Sequence, residues 1–186
     1  TYGDYKSLRL FSESLTSIVD MEALGKVTID KVTSIFRLEW AFMLVNDFND
    51  RNYKLNAAKN LPFGDGIIEN QDLGVSLKRG SELLHYFMTK PTREKKGELY
   101  FYDPQNPMKV TLERGEQDET VETTLVLPLK FKERLNGFLV LGPQLEKDYY
   151  NQSDMETMQL LAVQCSVALE NAISFERLKQ QQKRLQ

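Results

Sequence analysis

The chain has 186 residues, 41% of them hydrophobic, with a net charge of -3. That is enough apolar material for one core, so one domain is the default, and a concentrated basic surface for DNA or RNA is lacking. Its one cysteine, Cys165, excludes an intramolecular disulfide, and no apolar run reaches the roughly 18 residues of a membrane span. No signal peptide is recognisable, so a cytoplasmic piece without membrane contact is expected.

In chain order, a first helix is expected from about Asp4, with Leu8, Phe11, Leu15 and Ile18 on one face. Asp20 is placed to cap a second helix over Met21 to Phe36. The period then shortens. Trp40 to Asn46 and Tyr53 to Lys59 read as a β-hairpin around the turn-rich Asp47 to Asp50. The segment Asn60 to Gly66 breaks it, and Ser81 to Lys90 reads as a helix that stops before Pro91.

From Thr92 to Glu119 the pattern weakens. A short strand near Leu99 to Tyr102 and something regular around Val110 to Arg114 are expected, and the carboxylates of Glu113 to Glu122 read as a solvated loop. Thr124 to Phe131 and Gly137 to Leu141 then form two apolar strands, and Pro128 calls for an edge or a bulge. Ser153 to Glu156 has the spacing of a capping box, and the proline-free stretch after it predicts a helix of about 30 residues. Helix pair, strand pair, helix, loop, strand pair and long helix together make an α+β layout with an antiparallel sheet.

Several segments resemble the GAF family. They are Asp20-Met21-Glu22-Ala23-Leu24 with Phe36, Glu39 and Ala41, and Leu55 to Pro62 with Ala57, Ala58, Asn60 and Leu61. Late in the chain they are Leu127-Pro128-Leu129, Gly137 to Gly142, and Ser153-Asp154 through Leu160-Leu161-Ala162 to Ala168-Leu169-Glu170-Asn171-Ala172. The resemblance implies a GAF/PAS-like central antiparallel sheet flanked by helices, with a bundle of the N- and C-terminal helices on one face. It also implies a sensory domain over 1–172 with a helical lead-in at 4–36, followed by the start of a coiled-coil signalling linker at 173–186. By the same resemblance it implies a small-molecule or partner sensor in a bacterial signalling protein, with a histidine kinase as the favoured output. The alternatives are a ligand-free dimerisation spacer and a GAF-like redox enzyme.

No cofactor is specified. The Asn-Lys-x-Phe-Asp-Glu set of cyclic-nucleotide-responsive members and the Cys-His pair of bilin-binding ones are not found. One His and one Cys do not make a zinc site, and no haem signature accompanies His85. If the third helix flanks a ligand cavity, as in similar domains, His85 and Tyr86 border it. Phe63, Phe101 and Tyr102 complete an apolar lining, with Asn60, Arg93 and Thr124 as candidate polar contacts. No catalytic pair and no convincing phosphate loop is found.

In the last helix Leu161, Gln164, Ala168, Asn171, Phe175, Leu178, Gln182 and Leu185 alternate spacings of 3 and 4, the seam of a coiled coil. With Leu8, Phe11, Leu15 and Ile18 they predict a homodimer built from the two terminal helices.

Overall fold

The computed structural model describes residues 2–64, 66–89, 100–147 and 149–185. α1 (Tyr2–Ser14) tightens into a 3-10 turn at Leu15–Ser17 and leads to α2 (Met21–Phe36). The Asp20 carboxylate accepts the Ala23 N–H at 3.3 Å, as an N-cap should. At the other end, Arg37 turns left-handed at φ 51°, and the Leu38 N–H closes the last turn on the Thr33 carbonyl at 3.1 Å.

The strands are β1 (Ala41–Asp47), β2 (Asn52–Phe63), β3 (Gly66–Leu77), β4 (Phe101–Tyr102), β5 (Met108–Arg114), β6 (Gln117–Thr123), β7 (Leu125–Phe131) and β8 (Arg134–Leu141). They form one antiparallel sheet in the order β4-β7-β8-β1-β2-β3-β5-β6. α3 (Glu82–Thr89) precedes β4, and α4 (Gln152–Leu185) ends the chain.

Strand alternation divides the apolar residues into two cores. Ala41, Met43 and Val45 of β1, Leu125, Leu127 and Leu129 of β7, and Leu139 and Leu141 of β8 face α2 and α4. Phe42, Leu44, Val126, Phe138 and Val140 point to the opposite side, where Leu83 of α3 and the apolar residues of β5 join them. This explains why β1, β7 and β8 read as unbroken apolar runs: both faces are covered. Gly137 marks a tight point in the sheet, since an added Cβ there would stand 2.3 Å from the Leu44 carbonyl oxygen and 3.4 Å from Leu169 of α4. Only glycine lets β8 lie against β1 while α4 crosses above.

Three expectations change. The break at Asn60 to Gly66 is shorter than expected: Asn60, at φ 54°, is a bulge inside β2 where the pairing with β3 shifts register, and the chain turns only after Phe63, between two strands of 12 residues. The acidic stretch Glu113 to Glu122 is no loop; most of it is β6, paired residue for residue with β5 from Met108↔Thr123 to Arg114↔Gln117. The cap of α4 lies two residues earlier than Ser153. The Asp154 N–H donates to Asn151 Oδ1 at 2.8 Å, and the Asn151 N–H donates to Asp154 Oδ2 at 2.9 Å. Asp154 is fully buried there and also accepts from Lys147 at 3.2 Å. Pro128 has the setting proline needs, because β4 pairs only with residues 125 and 126 of β7, and a register shift follows at Leu129/Lys130.

Among the described residues no helix is long and apolar enough to cross a membrane.

Candidate functional site

Two parts of the molecule hold the candidate residues: the α3 face of the sheet, and the junction where α4 leaves the domain. On the α3 face a chain of rings crosses the surface. Tyr86 lies 5.2 Å from Phe101 and 4.9 Å from Phe87, both edge-on. Phe87 reaches Phe138 of β8 at 5.4 Å, and Phe138 reaches Tyr53 at 5.0 Å. Such ring contacts add to area burial, and they occupy the stretch of this face from α3 to β8.

The candidate lining residues are only partly brought together. Tyr86 and Phe101 meet directly, as above. Phe63 is buried in the same core, with the Arg114 guanidinium 4.8 Å over its ring. Tyr102 faces the other side, its ring 5.9 Å from Tyr150 and its hydroxyl accepting the Tyr150 N–H at 2.9 Å. His85 is exposed on α3. Asn60 is exposed at the β2 bulge, where its backbone N–H donates to Glu69 Oε1 at 3.2 Å. Thr124 is half-buried and uses its carbonyl to accept the Asp103 N–H at 3.0 Å. Its neighbour Thr123 is the buried one, donating to Leu141 O at 2.6 Å. Arg93 lies outside the described residues.

Beside α3 the sheet opens a cavity of about 350 Å³. Phe48, Tyr53, Leu84 and Met88 supply its apolar wall, and Asn46, Arg51, Asn52 and Arg79 its polar one. A second cleft, of about 410 Å³, lies on the other face between the β1–β2 turn and α4, with Ile173, Glu176 and Arg177 on its helical side. Arg177 bridges that cleft by resting 4.9 Å over the Phe48 ring. Sequence reasoning missed Arg51 and Arg79, which carry no motif and become neighbours only once β2 and β3 pair.

At the exit of α4, Glu170 is only 8% exposed. It accepts from Asn136 Nδ2 at 2.7 Å and is ion-paired with Arg134, both on β8. This is the last turn before the helix clears the domain, since Ile173 is the final buried residue of α4.

The dimer candidates divide. Leu15 and Ala168 are fully buried in the domain's own core, which corrects their assignment to a partner-facing seam. Phe11 and Ile18 are half-buried against that core. Asn171 is exposed, and Phe175, Leu178 and Leu185 are 39%, 57% and 88% exposed. Leu8 belongs to α1, but its side chain lies outside the described set. The split has a plain cause. Ile173 is the last buried residue of α4, and beyond it the helix has left the domain, so every residue from 174 to 185 is exposed whatever its place in the repeat.

Cys165 is fully buried, and burial pushes its thiol up to about 12. Among the described residues no group of three or more His, Cys, Asp or Glu is placed to hold a metal.

A family model described as GAF domain matches residues 20–171. None of the curated proteins matches the chain. Among solved structures it is similar to the GAF domain of a phosphoenolpyruvate-protein phosphotransferase from Coxiella burnetii, 18% identical, with a TM-score of 0.61 over 94% of this chain and 96% of that one. It is also similar to the GAF domain of a protein described as a sensor histidine kinase from Pseudomonas syringae pv. tomato, at 19% identity and a TM-score of 0.53, covering 95% of this chain and 94% of that one. Free methionine-R-sulfoxide reductase from Neisseria meningitidis shares the fold at 15% identity and a TM-score of 0.60, over 91% of this chain and 90% of that one. With its sheet covered on both faces and the family model spanning most of its length, this chain belongs to the GAF domain family, a sensory and regulatory fold found in kinases.

Proposed function

We propose that this is a non-catalytic sensory domain, in which a small molecule or partner at the α3 face of the sheet alters the stance of α4. The helix then carries that change to an output domain of the histidine-kinase class. The observation behind this reading is the division of α4 itself. It is one unbroken helix of 34 residues, about 50 Å at 1.5 Å per residue. Its buried part ends at Ile173, and 174–185 are exposed throughout. A rigid helix held by the sheet at one end and free at the other transmits any rotation of its seat. The Glu170 contact to β8 ties that seat to the strand that also carries Phe138.

The exposed apolar residues of the tail need cover, which a second copy supplies by pairing α4, and α1 beside it, across a two-fold axis. In this reading residues 173–186 begin a coiled-coil linker, and polar Asn171 and Gln182 soften the seam so that two registers differ by little. A ligand then shifts the balance by its difference in affinity for the two arrangements. A cytoplasmic setting fits the single reduced cysteine.

Native mass spectrometry of freshly purified protein tests this. A dimer that retains a small molecule supports sensing, and a monomer at high concentration overturns relay through paired helices. A second reading, a ligand-free dimerisation spacer, is favoured by the ring-filled α3 face; it predicts a dimer with no retained mass. A redox enzyme like the Neisseria protein is disfavoured, because the thiol of Cys165 is buried and held protonated.

A further inference from the structure

The cavity beside α3 has a chemistry of its own. Two arginines and no carboxylate line it, although the whole chain carries a net charge of -3. The carboxylates nearest in sequence, Asp47 and Asp50, are both held by Lys54. Neither Arg51 nor Arg79 takes part in an ion pair among the described residues. Arg79 is nonetheless fixed, because one of its guanidinium nitrogens donates to the Asp50 carbonyl at 3.0 Å. Arg51 stands at the tip of the same turn with φ 52°.

The same lining includes an unmet polar group. The Oδ1 atom of Asn46 is buried and has no hydrogen-bond partner. Leaving such a group unpaired costs roughly 1–3 kcal/mol in general, so its persistence beside a cavity points to a partner that arrives from outside. The rest of the wall is apolar. Phe48 and Met88 are 40% and 61% exposed, both unusual for large hydrophobic side chains, and both line this space. The Tyr53 hydroxyl is already spent on the Leu135 carbonyl at 2.8 Å, so only its ring is offered.

From these features we propose that the cavity binds a small carboxylate with an apolar body. The carboxylate lies between Arg51 and Arg79, where a guanidinium fork matches its two oxygens. The body rests on Phe48, Tyr53 and Met88, and an N–H or O–H of the ligand satisfies Asn46. The volume, about 350 Å³, suits one ring or a short branched chain. The proposal rests on the sensory reading and gives it a ligand class. The site touches both α3 and the β1–β2 turn, and Phe48 of that turn also carries Arg177 of α4.

The test is an NMR titration of the isotope-labelled protein with phenylacetate, with 2-phenylethanol and phenethylammonium as neutral and cationic counterparts. Phenylacetate is expected to saturate with a Kd of about 1 mM or tighter, and the alcohol to bind at least about tenfold more weakly. The shifts should centre on Asn46, Arg51 and Arg79. R51Q and R79Q should each weaken phenylacetate about tenfold. Because R79Q also removes a turn contact, M88E serves as the second variant: on an exposed position it should abolish phenylacetate binding and admit the ammonium. Equal binding of acid and alcohol, shifts centred elsewhere, or no saturation by about 20 mM would overturn the proposal. If phenylacetate binds here yet spin-label distances along α4 stay fixed, the relay fails and the site stands. If the site stays empty while another molecule moves α4, the reverse holds.

Discussion

Replacing Glu170 with alanine separates α4 from β8, and the structure sets the size of the effect. Asn136 is 1% exposed and its Oδ1 already lacks a partner. Its Nδ2 donates to Glu170 at 2.7 Å. Glu170→Ala therefore strands a buried donor, at a cost of about 1–3 kcal/mol. Arg134 is 49% exposed and can turn to water, so losing its pair adds only about 0.5–1 kcal/mol. The sum is about 1.5–4 kcal/mol, which for a domain of this size lowers Tm by roughly 3–16 °C. Thermal unfolding followed by circular dichroism measures it. A double-mutant cycle with Asn136→Ala should show a coupling of about 1–2 kcal/mol, since the two groups serve one contact. Amide exchange along residues 166–173 should quicken in the single variant. A loss under about 0.5 kcal/mol, or additivity within about 0.3 kcal/mol, would refute the claim that this contact seats the helix.

Three further outcomes follow from particular residues. Asn151→Ala should cost about 1 kcal/mol of stability and Ser153→Ala almost nothing, because Asn151 makes the reciprocal cap; denaturant unfolding of the two variants decides between them. Cys165, with its thiol pushed up to about 12, should resist a thiol reagent at pH 8, where about one molecule in ten thousand is ionised; labelling that outpaces unfolding would contradict its burial. If the chain dimerises as proposed, Phe175→Glu with Leu178→Glu should leave a monomer in sedimentation experiments while moving Tm by less than about 2 °C, since both side chains are exposed within one chain.

The elements with strong periodicity were legible in advance. α2 falls where Asp20 and the spacing of its apolar residues place it, and β1, β7 and β8 stand out because both of their faces are buried. β3 and β6 were hidden for different reasons. β3 leaves Ile67 and Leu73 64% and 58% exposed and is interrupted by bulges, so no alternation survives in its sequence. In β6 only Val121 and Thr123 reach the core, and a strand with one apolar residue looks like a loop. The capping box was placed two residues late because Ser153 and Asn151 are equally good caps in isolation. Burial of Asp154 decides for Asn151. Of the candidate lining, the aromatic residues could be found from composition and position. The arginines could not, because their nearness is a product of strand pairing.

The two ends of the sheet limit how copies of this chain can meet. An outer strand presents unpaired backbone groups that invite a further strand and, with it, aggregation. Among the described residues one end is β4, two residues long, too short to template an addition. The other is β6, where Asp118, Glu119 and Glu122 crowd seven residues with three carboxylates. A strand from another copy would have to bring the same charges against them. Edge-to-edge growth is thus disfavoured at both of these strands.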